Sequence, residues 1–194
     1  KQNIEKILKS DKLPMKPQRL AWEVLDFIEP DTQFVLDGGD IAVFTFGLLS
    51  NKTRNPRCTY YPITMGHLGT GIPHAIGAQI AKPDKLVVCL TGDGSFMFNV
   101  QDLDTAVRLN LPIIVVVANN SCWGMIKSNQ KNNLSKRYCD VDCRRTNYAE
   151  IAKGFGCYAE KVENPATSST ALDRAKDSGK PAVIDVNIAF ETPS

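Results

Sequence analysis

The chain has 194 residues, enough for one domain with a substantial core, and its 23 Lys and Arg against 21 Asp and Glu leave a formal net charge of +2. That near balance, with basic residues dispersed along the chain, gives no electrostatic footprint for nucleic acid or an anionic membrane surface. No apolar run approaches the ~20 residues a spanning helix needs, and the first residues lack signal-peptide architecture. The six cysteines form no CxxC pair and only His67 and His74 could assist them, which argues for reduced thiols in a cytoplasmic setting over a zinc site.

Residues 1–12 are polar and lead into Pro14-Met15-Lys16-Pro17, so 1–16 reads as an inter-domain linker remnant. The domain proper is expected over 17–190, with 191–194 as a tail. Leu20, Val24, Leu25 and Ile28 recur at helical spacing over 18–28, and Pro30 stops that helix. Residues 33–36 read as a short strand and Asp37-Gly38-Gly39-Asp40 as the turn after it. The stretch 41–49 is apolar enough for a buried helix. Small residues over 68–81 predict a helix that packs closely on a sheet, with Pro73 tolerable in its first turn.

Two apolar, β-branched runs follow, 86–90 and 113–117, separated by an amphipathic stretch about long enough for one crossover helix. That arrangement predicts neighbouring parallel strands. A loop and short helix are expected over 121–130, and the polar, aperiodic 131–145 is expected to be mobile. A helix over 148–153, a strand over 157–162, a helix over 167–177 and a buried strand over 182–186 complete the chain. The alternation predicts a three-layer α/β/α domain with a mainly parallel sheet.

Gly92-Asp93-Gly94 closes the first central run and Asn119-Asn120 closes the second, so both clusters fall at the carboxyl edge of one sheet, where open α/β folds bind ligands. A carboxylate and an amide oxygen meeting beside a glycine-flanked backbone suit a small hard cation that holds phosphates, and the ion indicated is Mg²⁺. Taken alone, the same residues also make two ordinary turns. Gly94 and Ser95 begin the crossover, where free N–H groups favour an anion, with Ser95 as an unliganded N-cap the lesser alternative. No GxxxxGK[ST] loop occurs, and Gly69-Thr70-Gly71 lacks the third glycine of a dinucleotide fingerprint. A non-catalytic Rossmann-like binding domain is the alternative that architecture alone allows.

Gly92-Asp93-Gly94-Ser95, with Asn120 placed 27 positions beyond Asp93 (93 to 120), resembles the diphosphate-binding motif of thiamine diphosphate (ThDP) enzymes. Gly66-His67-Leu68-Gly69-Thr70-Gly71-Ile72-Pro73, Ala75-Ile76-Gly77-Ala78, Ala81-Lys82-Pro83-Asp84 and Gly124-Met125 are similar to the acetohydroxyacid (acetolactate) synthase branch. The resemblance runs over residues 16–187. It implies a ThDP-binding fold and a component of a carboligase or decarboxylase that splits a 2-keto acid and passes the acyl unit to an acceptor. A Lys-Pro-Gln stretch like 16–18 introduces the third domain of such enzymes, so the chain is expected to be one domain of a parent about three times longer, or a naturally separate subunit.

By the same resemblance, Asp93, the Asn120 side chain and the Cys122 carbonyl hold Mg²⁺. Gly38, Gly39, Gly92, Gly94, Ser95, Trp123, Gly124 and Met125 lie along the cofactor, with Asn119 holding the loop rather than the metal. Leu68 matches the bulky apolar residue that bends the two cofactor rings into a V, and Gly66 the position whose carbonyl accepts from the 4′-amino group. Read without the family, Leu68 is a core leucine. The family's activating glutamate comes from a separate pyrimidine-binding domain, normally across a dimer or tetramer interface, and nothing here corresponds to it. Whether a flavin is retained elsewhere has no signal in these residues.

Some positions depart from the pattern. Asp40-Ile41 replaces a Gln-His pair that contacts diphosphate, and Asn129 replaces the Trp that selects a larger keto acid. Trp123-Gly124 with Asn129-Gln130 is similar to relatives using other acyl partners, such as sulfoacetaldehyde acetyltransferase. His67 and His74 are candidates for substrate contact or for ordinary, partly buried imidazoles.

Overall fold

The computed structural model describes residues 6–61 and 65–193; the first five residues of the expected linker and Ser194 of the expected tail lie outside them. Six strands form one sheet: β1 (Gln33–Leu36), β2 (Thr59–Tyr60), β3 (Val87–Gly92), β4 (Ile114–Asn119), β5 (Tyr158–Val162) and β6 (Ala182–Asn187), in spatial order β2-β1-β3-β4-β6-β5. Every pairing is parallel. The helices are α1 (Pro17–Phe27), α2 (Asp40–Leu49), α3 (Gly71–Ala81), α4 (Asp93–Phe98), α5 (Asp102–Arg108), α6 (Gly124–Asn133), α7 (Tyr148–Phe155) and α8 (Ser168–Asp177).

Alternate side chains along a strand point to opposite faces, and here both faces are apolar. Leu36, Val88, Leu90, Ile114 and Val116 face one core, sealed by Leu20 and Val24 of α1, Ile41 and Leu48 of α2, and Leu172 of α8. Val35, Val87, Cys89, Val115 and Val117 face the other, sealed by Ile72 and Ala75 of α3, Leu103 of α5 and Ala152 of α7. Continuous β-branched runs in β3 and β4 therefore reflect strands covered on both sides. The three-layer expectation holds, and the sheet among the described residues is wholly parallel.

Local chemistry sets the helix ends. Pro17 sits in the first turn of α1, where its missing N–H costs nothing. The Asn147 side chain accepts from Glu150 N at 3.2 Å to start α7, and Gly156 (φ +93°) ends it in the left-handed region.

Four features differ from the sequence expectation. The crossover between β3 and β4 is two short helices, because the chain leaves helical geometry at Asn99, whose side chain donates to Gly69 O at 2.7 Å. The edge strand β2 was not expected. The polar stretch 131–145 is held in place: α6 runs on to Asn133, Trp123 N donates to Val141 O and Cys143 N donates to Ser121 O, both at 2.8 Å. Paired backbone, not hydrophobic pattern, orders that return. The end of the expected linker also joins the domain, since Met15 is fully buried and pairs in parallel with Ile188 beyond β6.

The topology leaves an opening. From β1 the chain turns toward β2 on one side, and from β3 toward β4 on the other, so the carboxyl ends of β1 and β3 diverge at a switch point where α/β sheets take ligands.

Candidate functional site

A cavity of about 260 Å³ opens at that switch point. Its walls come from the β1–α2 turn (Gly39, Asp40), the β3–α4 turn (Gly92, Asp93, Gly94, Ser95) and the β4–α6 turn (Asn120, Cys122, Trp123, Gly124, Met125), with Gly66 and Leu68 from the segment before α3. Of the residues that the resemblance sets along the cofactor and metal, only Gly38 stands behind the wall. Its positive φ of +102° favours glycine, and a Cβ there would lie 2.9 Å from Gly92 N, so its absence of side chain lets the two turns close up. Pro17, Ile126 and Ile188 also line the space and had no sequence signal.

Asp93 is 3% exposed. Its Oδ1 accepts from Gly94 N at 2.8 Å and its Oδ2 from Ser121 N at 2.7 Å, so the β3 carboxylate fastens the β4 turn. Asn120 Oδ1 accepts from Cys122 N at 3.1 Å and from the Cys122 thiol at 3.3 Å. Burial pushes that thiol up to about 12, leaving it protonated and a poor nucleophile. Asn119 turns the other way, donating to Asp185 Oδ1 and to Thr146 O, both at 3.0 Å. It holds the loop.

Asp40 is the unusual member. It begins α2 but makes no cap hydrogen bond, it is 9% exposed, and both its oxygens are buried without a donor. Gly124 makes room for it: a Cβ on Gly124 would fall 1.6 Å from Asp40 Oδ2 and 3.2 Å from Asn120 Nδ2.

Burial raises Asp40 to about 6, with the Asp93 charge adding to the rise. Asp93 is also raised to about 6 by burial, against the pull of the Gly94 and Ser121 amides. Both folded-state values exceed the ordinary carboxyl value of about 4, so the stability these groups allow is complete below that value and is lost as pH climbs through about 6. With chelator present, melts followed by circular dichroism are expected to show a gain on the order of 1–2 kcal/mol on going from pH 7.5 to 5. Asp40→Asn should raise the melting temperature at pH 7.5 and shrink that pH dependence. A wild-type melting temperature that falls steadily over this interval, with Asp40→Asn no more stable, contradicts the assignment.

Two buried carboxylates had no functional reading in the sequence. Asp37 accepts from Gly38 N (2.7 Å), Gly69 N (3.3 Å), Gly71 N (2.9 Å) and Thr91 Oγ1 (3.3 Å), pinning the segment that carries Leu68 against the end of β1. Asp185, fully buried, accepts from Asn119 and from Tyr148 N at 2.9 Å. The Asp before Gly38-Gly39 was a visible cue for the first; the second has no local signature. His67 is exposed and His74 is exposed with its ring nitrogen 2.7 Å from Thr70 O; neither lines the cavity, nor does the exposed Asn129. All six cysteines are free thiols.

Among the described residues, the cavity wall contains no Lys, Arg or His. Two carboxylates with no basic side chain among the described lining residues suit a cation better than a directly bound phosphate.

The chain matches the model of the thiamine pyrophosphate enzyme C-terminal TPP binding domain over residues 37–186, and it belongs to that family. It is 31% identical over 188 residues to a protein of Methanococcus aeolicus described as "Probable acetolactate synthase large subunit", covering 94% of this chain and 31% of that protein. It is 33% identical over 179 residues to the acetolactate synthase large subunit IlvG of Mycobacterium tuberculosis, covering 92% and 32%. The chain therefore spans about a third of the length of these relatives. A solved ThDP-dependent 4-hydroxybenzoylformate decarboxylase of Rhodococcus jostii superposes with a TM-score of 0.85 over 94% of this chain and 34% of that one, at 24% identity, which speaks to the fold. Among the described residues no helix is long and apolar enough to cross a membrane.

Proposed function

We propose that this chain is the diphosphate- and Mg²⁺-binding domain of a ThDP-dependent carboligase or decarboxylase acting on 2-keto acids, of the acetolactate synthase kind. The observation that carries the reading is the meeting of Asp93, from the end of β3, with Asn120, from the end of β4, in the wall of one cavity. Asp93, the Asn120 side-chain oxygen and the Cys122 carbonyl hold the metal in this reading. The donor set fits: all are oxygens, as Mg²⁺ requires, and the orphaned Asp40 oxygens mark a cavity short of positive charge.

The glycine-walled turns let backbone approach the diphosphate, with Ser95 beside them and Gly39 opposite. Trp123 lies over Gly94, whose Cβ would be 2.5 Å from the indole, and helps exclude water from that side. Leu68 stands as the apolar wedge and the Gly66 carbonyl as the acceptor for the aminopyrimidine. Bound ThDP supplies the electron sink for decarboxylation. The activating glutamate comes from a pyrimidine-binding domain, of the same parent or of another subunit, in a dimeric or tetrameric cytoplasmic enzyme.

Calorimetry on the chain tests the reading. ThDP is expected to bind only with Mg²⁺ and more tightly than NAD, and the isolated chain should not turn over pyruvate. Preference for NAD, or ThDP binding indifferent to chelator, rejects it; steady pyruvate decarboxylation by the chain alone rejects the separate glutamate-bearing domain.

A further inference from the structure

Asp40 is, among the described residues, the only carboxylate with both oxygens buried and without a donor. The other buried aspartates, Asp37, Asp93 and Asp185, each accept from two or more backbone or side-chain groups. A carboxylate taken out of water without such partners is costly, and in folded proteins such groups are paired with a cation or coordinate a metal. Among the described residues no basic side chain lines the cavity that Asp40 borders, and neither Asp40 oxygen accepts from an amide of the helix it begins.

Its surroundings point to the missing counter-charge. Asp40 Oδ2 and the Asn120 amide both border the one point that a Gly124 Cβ would occupy, at 1.6 and 3.2 Å. Asp93 lines the same cavity. Two carboxylates and the Asn120 amide, whose oxygen reaches an ion only by giving up its contact with Cys122 N, make an oxygen-rich set for a hard divalent cation. One carboxylate leaves Mg²⁺ with net positive charge that a diphosphate must complete. Two balance it.

We propose that Asp40 is a second carboxylate ligand of the cation site, so that the chain takes up a divalent cation before any diphosphate arrives. This rests on the site assigned above and adds to it an order of assembly: metal first, cofactor second. Bringing in the phosphates places their charge beside Asp40, so they displace it from the ion or share the ion with it. Metal and ThDP then bind less interdependently than they would with Asp93 as the sole anionic protein ligand.

Mn²⁺ is a suitable probe, because its free ion is counted directly by electron paramagnetic resonance. Titrations of the wild-type chain, Asp40→Asn, Asp40→Ser and Asp93→Asn, with and without ThDP, separate the cases, and circular dichroism confirms that each variant is folded. Wild type should bind one Mn²⁺ without ThDP. Asp40→Asn and Asp40→Ser should weaken that step at least tenfold, and added ThDP should restore much of the lost affinity; Asp93→Asn should lose Mn²⁺ under both conditions. If wild type holds Mn²⁺ only when ThDP is present, or the Asp40 variants match it without ThDP, Asp40 is not a ligand, while the proposed function stands. If Mn²⁺ binds through Asp40 but ThDP never binds or alters it, the cation site stands and the cofactor reading fails.

Discussion

Asp93→Ala is expected to eliminate Mg²⁺-dependent ThDP binding. In the proposed set of Asp93, Asn120 and the Cys122 carbonyl it is the only charged group, and it is nearly fully buried. Removing one partner of a buried ion pair costs about 3–5 kcal/mol, or about two to four orders of magnitude in affinity. The structure adds a second consequence. Asp93 also fastens the Gly94 and Ser121 amides, so alanine strands two backbone donors at about 1–3 kcal/mol for each that stays buried. Relief of an uncompensated buried carboxylate offsets part of that cost. Asp93→Asn keeps one acceptor and is the cleaner variant: it should fold like wild type and still fail to bind. Asn120→Ala should weaken binding less, since water can replace a neutral oxygen. Titration calorimetry giving Asp93→Asn the wild-type ThDP affinity ends the metal assignment.

Much of this arrangement was legible because it is written in runs. The β-branched stretches of β3 and β4 are buried on both faces, and their terminal polar residues necessarily fall on one edge of a parallel sheet. The edge strand β2 is two half-buried residues and carries no pattern. The segment 131–145 looked mobile because its order comes from main-chain pairing with Ser121 and Trp123, which leaves no trace in side-chain polarity. Asp185 bonds partners more than thirty positions away, so nothing near it in sequence marks its role, whereas Asp37 at least precedes a visible Gly38-Gly39 turn. Asp40 was visible as an acidic residue awkward beside phosphate. Only the fold shows that no donor reaches it and that Gly124, from the far side of the sheet edge, makes the room it occupies.

Leu68 presents the sharper test, because its two readings diverge in what they move. It is partly buried and lines the cavity, and it belongs to neither apolar core cluster. A core leucine cut to alanine costs about 2–5 kcal/mol of stability. A cavity-lining leucine outside both cores costs much less, so the melting temperature of Leu68→Ala should fall only slightly. ThDP affinity should drop by roughly 1–2 kcal/mol for the lost apolar contact, since metal and diphosphate contacts persist. In the complete enzyme the exchange of the cofactor's C2 proton should slow far more, because a misplacement of about 1 Å between reacting groups can cost on the order of 10²-fold. Leu68→Met, similar in volume, should retain most of the exchange rate. Asp37, which pins Gly69 and Gly71 on either side of Thr70, gives an independent handle on the same wedge: Asp37→Asn should loosen the segment and slow exchange while Leu68 itself is intact. Proton exchange followed by NMR beside thermal unfolding separates the readings, and normal exchange with a large loss of stability in Leu68→Ala would make it a core residue and not a wedge.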